Sequence, residues 1–170
     1  AGLRAGIEAL TETVGGIAAL LVIPLVLATA YEVFARYIFG APTIWAFELG
    51  YILMGLHFLL GGAIALKRQA HVRIDLIYAR LTPKHRAVID LTLYLLIVLP
   101  VVTFITIWMW SHAAGAFLSG ERTGHSAWNP PIWPFRAVIC ASFGVLALQI
   151  VAECIKAFDA LRYGADYPRA

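Results

Sequence analysis

Glu32 and Arg36 lie four residues apart, an acid N-terminal to a base at the spacing that lets the two pair along one helical face. Local pairing is one reading. Another has Arg36 reaching a carboxylate on a neighbouring helix, with Glu48 the candidate because the short Gly40 to Thr43 segment brings two helix ends together. An anionic-substrate site at Arg36 is the weakest reading, since an arginine one turn from a membrane interface can snorkel to water. Glu48 falls one turn into its helix, near the positive end of the dipole, where a carboxylate is stabilised without a catalytic task. A proton relay through it would require burial in a pathway.

Histidine and cysteine offer less. His57 lies about 20 Å from the outer start of its helix and His112 about 10 Å from the outer end of the next. Axial haem ligands must face each other across one iron, so a depth mismatch of about 9 Å disfavours bis-histidine ligation and favours hydrogen bonds between helices. His71, His85 and His125 occur in connecting segments without companion Cys or carboxylate spacing, so no zinc site is expected. Cys140 and Cys154 are fourteen residues apart in one expected helix, about 21 Å, which excludes a disulfide between them. No catalytic, substrate-binding, metal or cofactor set emerges, and an enzyme is not expected.

The elements that carry these residues follow from composition. Of 170 residues, 61% are apolar and 14% charged, against about 45–50% and about 25% in soluble domains. The chain is read as an all-α integral membrane protein, one membrane domain over 1–170. Its spans are expected near 14–37, 44–66, 91–119 and 132–152. The first is read as a retained helix, since no small-residue cleavage site follows it. Thirteen Lys and Arg against ten Asp and Glu give +3, and the basic residues sit in short connections without interleaved aromatics, which argues against nucleic-acid binding. The third span, about 43 Å long where the hydrocarbon core is about 30 Å, must tilt, kink at Pro100 or project.

Lys67, Arg68, Arg73, Arg80, Lys84 and Arg86 separate the second and third spans, whereas the connection before the fourth offers Arg122 alone. The positive-inside rule then places that basic segment and both termini in the cytoplasm. Ile74, Ile77, Tyr78 and Leu81 share one helical face, so a short interfacial helix is expected over 72–81, with Lys67, Arg68, Arg73 and Arg80 anchoring it to lipid headgroups. Thr82 and Pro83 read as the N-cap and first residue of the next helix. The outer connection carries Glu121, Arg122, Trp128, Pro130, Pro131, Trp133 and Pro134, suited to anchoring at the lipid boundary or to receiving a partner.

Gly15 with Ala19, Gly61 with Ala65 and Ala137 with Ala141 have small-xxx-small spacing, serving internal packing or a partner helix. Pro24 and Pro100 read as kinks. There is no internal repeat, no matched pair of broken helices and no midplane charge cluster, so a self-sufficient transporter is not expected.

Several pieces together resemble the small membrane subunit, DctQ-like, of tripartite ATP-independent periplasmic (TRAP) transporters. They are Arg36-Tyr37-Ile38-Phe39, Trp45 with Glu48, Lys67-Arg68 followed by His71-Val72-Arg73-Ile74-Asp75, Gly120-Glu121 with Ser126, and Pro131-Ile132-Trp133-Pro134. The resemblance implies a bacterial inner-membrane complex with a large, elevator-type membrane subunit that carries substrate and sodium sites. It also implies a periplasmic solute-binding protein that visits transiently, and an organic anion, a dicarboxylate or 2-oxo acid, as solute. This chain would be the static scaffold. Arg36, Trp45 and Glu48 would tie the first two spans together, and His71 and Asp75 would fix the turn into the interfacial helix. The alternatives are a haem-binding anchor of a respiratory enzyme and a small autonomous proton-coupled exporter.

Overall fold

Uncharged apolar runs of this length can satisfy their backbone in lipid only as helices or closed barrels, and here they are helices. In the computed structural model, which describes residues 2–69 and 81–163, the order is α1 (Gly2–Leu20), α2 (Val22–Tyr37), α3 (Ala46–Lys67), α4 (Pro83–Leu93), a wide π-helical turn (Tyr94–Val98), α5 (Leu99–Ser119) and α6 (Trp133–Tyr163). They make four rods long and apolar enough to cross a membrane: Gly2–Tyr37, Ala46–Lys67, Pro83–Ser119 and Trp133–Tyr163. The described residues contain no strand, only an isolated antiparallel bridge between Arg122 and Pro131.

Three rods continue well past the apolar runs they carry. The first starts at Gly2, the third at Pro83, and the fourth ends at Tyr163. Hydropathy reports where lipid ends, whereas a helix continues for as long as its polar extension finds partners. Thr82 caps the third rod, its hydroxyl accepting the His85 N–H, with Pro83 in the first helical position. The interfacial helix expected over 72–81, with His71, Arg73, Asp75 and Arg80, lies outside the described residues, which resume at Leu81.

Each proline inside a rod leaves a mark. Pro24 has no N–H for the Leu20 carbonyl, and the helix is interrupted at Leu21. The chain still runs on in helical register, with the Leu25 N–H reaching the Leu21 carbonyl at 3.3 Å. Pro100 likewise cannot serve Leu96. The turn before it widens, so that the Leu99 N–H reaches back five residues to Tyr94.

The inward side of the first rod is one stripe: Ile7, Thr11, Gly15 and Ala18, then half-buried Leu21 and Leu25, then Ala28, Glu32 and Ala35. These three- and four-residue steps average 3.5, the repeat of helices that wrap each other with left-handed twist. Among the described residues, eleven of the sixteen buried apolar ones are alanine, while Phe47, Phe58, Phe104 and Leu118 point outward. This inverts a soluble core. In lipid, large side chains gain nothing by hiding, and small ones let backbones approach closely.

The fourth rod is the hub. It touches α1, α3, α4 and α5, and 39% of its apolar window is buried against at most 17% for the other rods. Leu66, Val102 and Ile150 form one packed cluster, and Ala87, Ala157 and Ala160 form another. The packed glycines lie a little off the expected pairs. Gly15 faces Ile64, with an added Cβ at 2.6–2.9 Å from its side chain, but its buried neighbour on the stripe is Ala18, and Ala19 is exposed. Ala141 is exposed too, and the inward positions nearby are Cys140 and Ser142. Both cysteines are free.

Candidate functional site

The charged side chains gather at the two ends of the bundle, leaving an uncharged layer between. One end holds the α2–α3 turn and the α5–α6 loop and is called the hairpin end. The other, near Gly2 and Tyr163, is the terminal end.

At the hairpin end Glu32 is the centre of the α2–α3 turn. Its Oε1 accepts from Arg36 Nε at 2.9 Å, and its Oε2 accepts the Thr43 backbone N–H at 2.9 Å together with the Thr43 hydroxyl. The Thr43 hydroxyl oxygen in turn accepts the Ala46 N–H at 3.3 Å, closing the start of α3. Gly40 adopts the left-handed φ of +60° that reverses the chain. Trp45 stacks on Tyr31 with ring centroids 5.8 Å apart, so an aromatic pair joins α2 to the foot of α3. Arg36 therefore takes the local partner.

Glu48 faces another way. It is 1% exposed, and its Oε2 accepts the hydroxyl of Ser126 in the α5–α6 loop. Of the expected group, Glu32, Arg36 and Trp45 come together at the turn, and Glu48 joins the loop. That loop is densely bonded. Glu121 is held by both terminal guanidinium nitrogens of Arg136 at 2.7 Å, and Arg122 Nη1 donates to the Asn129 carbonyl at 2.9 Å. The Ile132 N–H meets Glu121 O at 3.0 Å and the Thr123 N–H meets Pro130 O at 3.1 Å. Trp133 packs edge-on against Phe117 at 5.3 Å, while Trp128 remains 40% exposed.

At the terminal end a chain of polar groups joins three rods. The Thr11 hydroxyl donates to Gln149 Oε1 at 2.8 Å, and Gln149 Nε2 donates to Glu153 Oε1 at 2.8 Å. Lys156 sits 2.7 Å from Glu153 and 3.1 Å from Glu8. Lys67, expected as a headgroup anchor, instead donates to the Glu8 carbonyl at 3.1 Å and to Glu12 at 2.9 Å. Arg68 is exposed just beyond it, at the end of α3.

Sequence reasoning passed over Thr11, Gln149 and Glu153 and read Lys156 only as a cytoplasmic charge after the last span, although Gln149 and Glu153 stand at i, i+4 and Glu8 and Glu12 do the same. Their positions straddle the expected membrane boundaries, where a polar residue reads as solvated. The signal was the matched spacing on two termini that the topology brings to one end.

Between these ends no Asp, Glu, Lys or Arg occurs at 13–31, 49–66, 91–120 or 137–152. His57 donates Nδ1–H to the Ala18 carbonyl at 2.7 Å, the tautomer being set by an acceptor that cannot donate. His112 lies against Trp108, centroids 4.4 Å apart. Thr29, Thr92, Thr106, Ser111 and Ser142 bond carbonyls of their own helices. Among the described residues no group of three or more His, Cys, Asp or Glu could hold a metal ion.

Among curated proteins, nothing matches the chain. A family model does: Tripartite ATP-independent periplasmic transporters, DctQ component, over residues 25–160.

Proposed function

Since the chain belongs to the DctQ component family of tripartite ATP-independent periplasmic transporters, a family of transporter components and not of enzymes, we propose that it is the static scaffold of such a complex. The family implies a large membrane subunit and a periplasmic binding protein as partners. In this reading the large subunit carries solute and sodium and moves as an elevator, while the present chain stays fixed in the bacterial inner membrane. The solute is an organic anion of dicarboxylate or 2-oxo acid type. The hairpin end faces the periplasm and the terminal end the cytoplasm. Arg68, exposed at the end of the second rod, lies at headgroup level.

The observation that carries this reading is the layer between the two polar ends. A carrier site within it would need convergent polar groups with unspent hydrogen-bonding capacity. Here His57 bonds a backbone carbonyl of the first rod, and hydroxyl after hydroxyl bonds its own helix. Both ends are cross-tied between rods, which suits a body that resists being dragged. The second rod also leaves an unused face. Gly50 and Gly55 meet Leu25, Thr29 and Phe135, whereas Gly61 and Gly62 meet nothing within 4 Å. We assign that open stretch, below outward-facing Phe58, to a helix of the large subunit. Glu121, Arg122, Trp128 and Trp133 form the surface offered to the binding protein.

Cysteine accessibility tests the stationary role. In a background lacking Cys140 and Cys154, Y37C and L118C place single thiols on exposed hairpin-end positions. In the assembled transporter, their labelling rates should be the same with sodium present or absent. A rate change of more than about twofold, of the kind a burial change across the interface produces, overturns the assignment.

A further inference from the structure

Glu48 was expected to join the first two spans, yet its carboxylate reaches the α5–α6 loop. Donor and acceptor accounting fixes what it does there. A serine hydroxyl has one proton to give and two lone pairs to fill. Ser126 Oγ already accepts the N–H groups of Trp128 at 3.2 Å and Asn129 at 3.4 Å. Both lone pairs are taken, so its proton goes to Glu48 Oε2, the remaining contact. The other carboxylate oxygen, Glu48 Oε1, is buried without a partner among the described residues. Among the described residues, the polar hold on this carboxylate is thus a single bond to the loop.

The face around Glu48 is shaped to the same purpose. Tyr51, one turn along α3, meets His125 edge-on at 6.3 Å and Phe135 at 5.9 Å. Gly55, one turn further, makes room for the Phe135 ring, which an added Cβ would approach to 3.2 Å. Glu48, Tyr51 and Gly55 therefore form one stripe that receives the loop and the start of α6. Within the loop, Ser126 gathers the turn at 126–129, and Asn129 extends it, with Oδ1 accepting the Gly124 N–H at 2.8 Å and its carbonyl accepting from Arg122.

We propose that Glu48 is a positioning residue for the hairpin-end surface. By accepting the Ser126 hydroxyl, it sets the 121–132 loop in the shape that the binding protein meets, and it acts on that encounter rather than on assembly of the membrane chains. The proposal rests on the reading of the hairpin end as periplasmic and partner-facing.

The test uses the membrane complex in nanodiscs with its cognate binding protein, and needs no solute. Glu48→Ala and Ser126→Ala should each raise amide exchange at Gly124, Trp128 and Asn129 about tenfold, through local opening. Each should weaken binding-protein affinity about fivefold, with the large subunit co-purifying as before. The double variant should be no worse than Ser126→Ala alone, because that change already removes the one contact that Glu48→Ala removes. Glu48→Gln retains an acceptor and Ser126→Thr retains the hydroxyl, so both should restore exchange and affinity. Unchanged exchange in Glu48→Ala overturns the latch. Raised exchange with undiminished affinity keeps the latch and overturns the partner-facing reading. Loss of the large subunit in Glu48→Ala but not in Ser126→Ala overturns the proposal in favour of a membrane-interface role.

Discussion

Glu153 is 1% exposed and is held by Gln149 and Lys156 of its own helix, while Thr11 and Glu8 bring the first rod to the same cluster. Removing one member of a buried polar set leaves the others desolvated and unmatched. Glu153→Ala should therefore lower the stability of the purified protein by about 3 kcal/mol, read as a fall in thermal unfolding temperature. Arg4 pairs with Glu8 at 2.9 Å from a half-exposed position at the edge of this cluster, and Arg4→Ala should cost under about 1 kcal/mol in the same assay. Equal effects would mean that the cluster is not a unit. At this scale the sequence is partly legible. The Glu32 to Arg36 pair follows from spacing alone, but Thr43 as the second ligand of Glu32 depends on where the turn points its backbone, which spacing does not encode.

Helix by helix, glycine separates packing from vacancy. Gly15→Ala forces a Cβ into the body of Ile64, its Cβ included, and should destabilise by about 1–3 kcal/mol in thermal unfolding. A Cβ added at Gly62 meets nothing within 4 Å, and Gly62→Ala should leave unfolding unchanged while reducing recovery of the large subunit in co-purification. A loss of stability with assembly intact would reverse that assignment. Element identity is legible from apolar run length, and the Thr82 and Pro83 start from cap chemistry. The depth of the rods is not, because their polar extensions at Gly2–Thr13 and Glu153–Tyr163 are helical by virtue of each other. The small-residue stripe is half legible. Gly15 is found by its type, but whether its neighbour is Ala18 or Ala19 turns on a 3.5 rather than 4-residue step.

Taken whole, the molecule has two charged ends, set one bilayer apart along the first, second and fourth rods. Glu12 to Glu32 is twenty residues, Glu48 to Lys67 nineteen and Arg136 to Glu153 seventeen, which at helical rise are about 30, 28 and 26 Å, close to the hydrocarbon thickness. Between them many large apolar side chains are exposed, above all on the first and third rods, and part of the bundle surface is assigned to a second chain. Expressed alone, the protein should self-associate or unfold in detergent. Co-expression with its large subunit should restore a monodisperse complex by size exclusion, and a well-behaved lone monomer would contradict the scaffold reading.

The wide turn at Tyr94–Val98 sets the angular phase of the third rod. Asp90 and Val102 are both buried, yet twelve residues at about 100° each would leave them about 120° apart around an unbroken helix. Slack of roughly one residue in that turn brings them back to within about 20° of each other. The two halves of the rod are thereby indexed like keyed shafts. Ala87 can meet Ala157 while Val102 meets Ile150, and the hub grips its neighbour along both halves.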